Sequence, residues 1–138
     1  MTIHLSLLLS AIATVESANN PAAIGAHGER SAYQMLEITW REHAKPEEAF
    51  ILATSDPALA EQIAEAHIIS LTRQLERAGV PVTPASLARA WHSGPTAAIR
   101  AALHHTGVTP GGYVERVTAI YSEAVAKLPR DLPEHLKP

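Results

Sequence analysis

There is no cysteine among the 138 residues. Its absence excludes a disulfide scaffold, a thiolate zinc site and a cysteine nucleophile. Aromatic residues make up 4%, with a single phenylalanine, so a core must rest on Leu, Ile, Val and Ala. Basic charge is not in excess. Lys and Arg number 11 against 14 Asp and Glu, a formal net charge of −3, which argues against a nucleic-acid-binding face. Long apolar runs are also missing. The segment Leu5–Ala13 is apolar, yet it is shorter than the ~20 residues a bilayer span needs. No Lys or Arg precedes it, as an export signal would require. It reads as a buried helix, and no membrane insertion is expected. No Gly-rich phosphate loop, Ser-His-Asp order or nucleotide fingerprint appears.

What is present points to one globular, helical domain. Hydrophobic residues make up 46% and charged residues 18%, and a chain of this length can bury about two-thirds of its unfolded surface. Leu5, Leu8, Leu9 and Ile12 keep the i, i+3, i+4, i+7 spacing of one helix face, predicting a first helix over residues 2–17. Four residues past Ile12 the same stripe reaches Glu16, a carboxylate at the end of a Leu and Ile face. Asn19-Asn20-Pro21 then breaks the helix. Residues 22–35 hold Gly25 and Gly28 and read as an irregular loop or small hairpin.

Further helices are predicted near Glu37–His43 with Trp40 inward, over 46–53, and over 57–78. The last of these has Ser55 or Asp56 as cap, Pro57 in the first turn and Gly79 as stop. Its expected inner face is Ile63, Ala66, His67, Ser70, Leu71 and Leu75. Thr83 and Pro84 open another helix carrying Leu87, Ala90 and Trp91, which ends at Ser93-Gly94-Pro95. A helix near Thr96–His105 stops at Gly107. The last starts near Pro110 or Gly111 and runs to Lys127, with Val114, Val117, Ile120, Tyr121 and Val125 inward. Residues 129–138, rich in proline and charge, read as a loose tail. No strand pattern and no internal repeat is evident. The fold class is therefore all-α, with at most one small hairpin.

Five short segments stand in a distinctive order: Ala13-Thr14-Val15-Glu16-Ser17, Ile24-Gly25-Ala26-His27-Gly28, Ser31-Ala32-Tyr33-Gln34-Met35, Ala90-Trp91-His92-Ser93-Gly94-Pro95 and Gly112-Tyr113-Val114-Glu115-Arg116-Val117. In this series the chain resembles the lysozyme-like superfamily, in the branch of goose-type lysozymes and soluble lytic transglycosylases. There a Glu-Ser pair ends a buried helix. A Gly-containing loop leads to a Gly-Leu-Met-Gln or Gly-Pro-Tyr-Gln motif. An Asn-x-Gly-Pro motif and a Tyr-Val segment on a terminal helix follow. The resemblance covers about residues 8–121. It implies a two-lobed helical domain over residues 1–128 with a central groove. The implied activity is cleavage of the β-1,4 bond between N-acetylmuramic acid and N-acetylglucosamine of peptidoglycan, as muramidase or lytic transglycosylase, without cofactor. A site of action at the cell wall follows from it.

On this resemblance Glu16 is the catalytic general acid and base, and Ser17, Tyr33, Gln34, His92 and Tyr113 are substrate-binding residues. Tyr113 corresponds to an aromatic residue that points at the acid. The sequence departs from the family at Ser31-Ala32, where a Gly is usual, and at His92, which replaces the Asn. Each residue also has a plainer reading. Glu16 is otherwise a solvent-facing last turn, Gln34 a turn-bonded amide, Tyr33 and Tyr113 packing residues, and His92 a helix-ending histidine.

Glu29, thirteen residues after Glu16, is the candidate second carboxylate. An inverting hydrolase needs a base roughly 6.5–9.5 Å from its acid. A lytic transglycosylase needs one Glu, because the sugar's own C6 hydroxyl closes a 1,6-anhydro ring. The alternative reading of Glu29, slightly favoured, is a surface ion pair with Arg30. The departures also keep open a non-catalytic glycan-binding or structural relative, and a chitinase or chitosanase on the same scaffold. No metal site is expected. His104 and His105 are adjacent and diverge on a helix, His67 reads as a satisfied core group, and His4 and His43 lack partner spacing.

Overall fold

The computed structural model describes residues 2–104, 112–129 and 135. They form an all-α fold of seven helices. These are α1 (Leu5–Ser17), α2 (Glu37–His43), α3 (Leu52–Ser55), α4 (Pro57–Arg77), α5 (Pro84–Ser93), α6 (Pro95–His104) and α7 (Tyr113–Ala126). Extended pairing among the described residues is confined to isolated antiparallel bridges, Ile24 with Arg30 and Arg30 with Met35. The segment expected to be a loop or small hairpin is thus a folded double turn. No helix among the described residues is long and apolar enough to cross a membrane.

Helix α4 is the spine, touched by α1, α2, α3, α5 and α6. It begins where Asp56 Oδ1 accepts a hydrogen bond from Leu59 N at 3.1 Å, with Pro57 in the first turn, where a missing N–H costs nothing. Its buried face is Leu59, Ala60, Ile63, Ala64, Ile68, Leu71 and Leu75. Ala66, His67 and Ser70, expected inward, are half-buried. The buried face runs instead through Ala64 and Ile68.

Helix α1 starts at Leu5, three residues later than expected. It buries Leu8, Leu9, Ala11, Ile12 and Ala13 against α7 and α4. Burying a Leu or Ile side chain contributes about 1.5–3 kcal/mol, so this stripe fixes the position of the helix end that carries Glu16. The helix closes with Ala18 in the left-handed conformation, φ 54° and ψ 36°. There Ala18 N donates to Thr14 O and Asn19 N to Ala13 O, at 2.9 and 3.0 Å.

The helix expected over 46–53 is replaced by turns and the four-residue α3. The cause is Trp40. Its buried ring donates from Nε1 to Glu48 O at 2.8 Å and packs edge-on against Phe50, centroids 6.1 Å apart. Capturing that carbonyl bends the chain around the indole.

Helix α5 opens with a reciprocal cap. Thr83 Oγ1 accepts from Ser86 N at 3.0 Å, and Ser86 Oγ accepts from Thr83 N at 2.9 Å. Gly94, at φ 88°, lets α6 follow at once. Helix α7 buries Tyr113, Val114, Val117 and Tyr121, with Ile120 and Val125 half-buried. Its expected start near Pro110 and the stop at Gly107 lie outside the described residues, as does most of the expected tail.

Candidate active site

The loop after α1 is built from its own backbone. Gly25 N donates to Glu29 O at 2.8 Å, and Arg30 and Met35 exchange two bonds at 2.8 and 2.9 Å. Ser31, where the resemblance would put a Gly, takes φ 81°, and Gln34 takes φ 52°. Ser31 therefore adopts a backbone shape ordinarily given to Gly. The buried Ser31 side chain supports that shape by accepting from Tyr33 N at 3.1 Å. The Gln34 amide donates to Ala23 O and Ser31 O at 3.2 and 2.9 Å, which leaves Oε1 as the side chain's free acceptor.

This loop faces the ends of α1 and α5 across an open cleft of about 330 Å³. Glu16, Glu29, Gln34, His67, Trp91 and His92 are among its walls, with His27 and Thr39 also on it. Of the residues read as functional from the sequence, Glu16, Glu29, Gln34 and His92 share this space. The other three do not line it. Ser17 Oγ donates to Ala32 O at 2.7 Å and to Ala13 O at 3.2 Å and accepts from Asn20 N at 3.0 Å, so it ties the helix end to the loop. Tyr33 packs edge-on against Trp91, centroids 6.4 Å apart, and borders a different hollow beside Pro57 and Glu61. Tyr113 lies buried behind the acid.

The half-buried Glu16 carboxylate meets Tyr113. The phenol Oη donates to Glu16 Oε2 at 2.9 Å, the contact the resemblance implied. Burial pushes the Glu16 carboxyl above its ordinary range, the Tyr113 hydrogen bond opposes this, and the charge of Glu29 adds to it. Tyr113 itself is pushed far up by burial and by the Glu16 charge, so it stays a donor at all physiological pH. His92 stacks on the Tyr113 ring, centroids 4.3 Å apart and planes 21° apart. Its exposed imidazole thereby extends the wall that holds the acid.

The expected ion pair of Glu29 with Arg30 does not form. Arg30 turns away, donating from Nη1 to Thr54 Oγ1 at 3.1 Å and lying over the Phe50 ring at 5.6 Å. Glu29 instead accepts from His27 N through Oε1 at 2.6 Å and faces the cleft. Gly25 makes this arrangement fit. A Cβ there would stand 2.5 Å from Gln34 Oε1 and 2.9 Å from Glu29 Oε1.

His43 also has a partner, contrary to the sequence reading. Its Nε2 lies 3.0 Å from His67 Nδ1, because α2 packs against α4. His67 in turn packs edge-on against Trp91, centroids 5.1 Å apart. Of these cleft residues His67 was read only as a helix-packing group, and Trp91 was given no site role. The signal for Trp91 was its place beside His92, whereas the spacing of His67 on α4 held no sign that it borders a cleft.

Chemically the arrangement offers a carboxyl of raised proton affinity, a second carboxylate and amide and imidazole groups on an open trough. That suits proton transfer to an oxygen in a polar, extended ligand. Comparison with protein-family models, with curated proteins and with solved structures finds no match to this chain.

Proposed function

We propose that the chain is a peptidoglycan-cleaving glycosidase that breaks the MurNAc-β-1,4-GlcNAc bond, with Glu16 as general acid. One observation carries this reading. Glu16 is half-buried on an open cleft, held by Tyr113 Oη at 2.9 Å, and burial raises its proton affinity. A carboxyl with a raised pKa keeps its proton to higher pH than an ordinary glutamate, as a general acid for the leaving sugar oxygen must. Gln34 Oε1 and the His92 imidazole supply acceptor and donor groups for acetamido and hydroxyl groups along the trough. The Trp91 ring adds an apolar wall for a sugar face.

Glu29 gives hydrolysis a candidate base beside the transglycosylase route. It faces the same cleft as Glu16 and is free of Arg30, so it is available to activate a water. The products then carry reducing ends. Anhydro ends in the released muropeptides would assign the cleavage to Glu16 alone, with the sugar's C6 hydroxyl as nucleophile.

The test is zymography and turbidity loss on purified cell walls, wild type beside Glu16→Gln. Loss of a general acid costs ~10²–10⁴-fold, so clearing should vanish while the circular dichroism spectrum is kept. Clearing by Glu16→Gln at the wild-type rate would overturn the assignment. Sedimentation with walls but no lysis by the wild type would make the chain a glycan-binding relative. Cleavage of chitin oligomers but not of walls would move it to a chitinase.

A further inference from the structure

On the seam between α2 and α4, we infer that Glu42, His43 and His67 form a binding site for a single divalent transition-metal ion, of which Zn²⁺ is the best fit. One ligand atom from each of the three residues lies within 4.8 Å of the other two. The two imidazole nitrogens, His43 Nε2 and His67 Nδ1, are 3.0 Å apart. Around a tetrahedral zinc with Zn–N bonds of ~2.0–2.1 Å, two nitrogen ligands stand roughly 3.3 Å apart. The pair is therefore within a few tenths of an ångström of the required edge, and a small ring rotation turns both lone pairs toward a shared ion. Glu42 is exposed, so its carboxylate is free to swing in as the third ligand. Two imidazoles and a carboxylate are a borderline donor set, suited to zinc rather than to magnesium or calcium. The fourth position is left to water.

Both histidines are half-buried on the seam between α2 and α4. The His67 ring also packs edge-on against Trp91, centroids 5.1 Å apart. His43 and His67 stand on different helices, so a bound ion would clip α2 to α4. Because His67 also lines the cleft, the clip would stiffen one cleft wall. The site does not depend on the glycosidase reading.

The probe is ZnCl₂ titrated by calorimetry into the untagged, EDTA-treated and dialysed full chain at neutral pH, alongside thermal melts. Saturable binding of one Zn²⁺ per chain is expected. At a free zinc concentration one hundred times the dissociation constant, the ratio of folded to unfolded chain rises ~100-fold, seen as a higher Tm. Co²⁺ in place of zinc should give a visible absorption band of a low-coordinate nitrogen and oxygen site. Losing an outer-sphere partner already costs 10–100-fold in affinity, so His43→Gln and Glu42→Gln should each weaken binding at least ~10-fold. Glu42 is exposed and His43 half-buried, and neither belongs to the buried core. The exposed His104→Gln on α6 should bind zinc like the wild type. No saturable binding, or binding unchanged in both His43→Gln and Glu42→Gln, overturns the inference.

Discussion

Tyr113 Oη donates to Glu16 Oε2 at 2.9 Å across 97 residues of chain, joining the start of α7 to the end of α1. The bond holds the carboxyl in one orientation, and it also opposes the effect of burial on its proton affinity. Glu29 pushes in the other direction.

Two substitutions should therefore shift the Glu16 carboxyl oppositely. Tyr113→Phe removes a hydrogen bond that favours the carboxylate, so the Glu16 pKa rises. Glu29→Gln removes a repelling charge, so it falls. On the proposed function the acid form is the active one, so the alkaline limb of the pH–activity profile moves up in Tyr113→Phe. In Glu29→Gln any residual activity is lost at lower pH. Carboxyl NMR titration of ¹³C-glutamate-labelled protein, assigned with Glu16→Gln, reads the shifts without relying on turnover. Shifts in the same direction would show that the two residues do not act on Glu16 as described.

Gly25→Ala should damage the cleft more than the fold. The new Cβ would overlap Gln34 Oε1 and crowd Glu29 Oε1, and overpacking of this kind costs ~1–3 kcal/mol. Moving Gln34 also strains its bonds to Ala23 O and Ser31 O. The expected result is a modestly lowered midpoint in urea with at least ~10-fold weaker cell-wall cleavage, about the loss that 1.4 kcal/mol of misplacement produces. Wild-type cleavage by this variant would show that the placing of Gln34 and Glu29 beside Gly25 is dispensable.

Ala18→Gly should stabilise the protein. Ala18 is exposed and sits at φ 54°, a left-handed conformation costing a non-glycine residue ~1–2 kcal/mol. Glycine gives back ~0.4–1 kcal/mol through a more flexible unfolded chain. The net gain is ~0.5–1 kcal/mol, measurable by urea unfolding. A loss of stability would mean that the Ala18 side chain makes contacts worth more than the strain.

Where local chemistry specifies local structure, the sequence was readable. Asp56-Pro57 opens α4 and Thr83-Pro84 opens α5, and in both the side chain caps the backbone it precedes. Glu16 was legible because a 3.6-residue period carries the Leu8, Leu9 and Ile12 stripe straight to it. The region 46–53 was misread because Trp40, outside that window, captures Glu48 O. Glu29 and Arg30 were misread for a related reason. Neighbours in sequence point to opposite sides of an extended turn, and Arg30 found Thr54 and Phe50 instead.

Periodicity and capping chemistry act over a few residues, so the sequence by itself determined the all-α class, most helix ends and the carboxylate at the end of an apolar stripe. Which groups meet across helices was decided by tertiary packing. That includes Tyr113 on Glu16, His43 beside His67, and the turning of Ser17 and Tyr33 away from the cleft. Such pairs are fixed by how apolar faces interlock, and no local pattern encodes the side chains that this interlocking brings together.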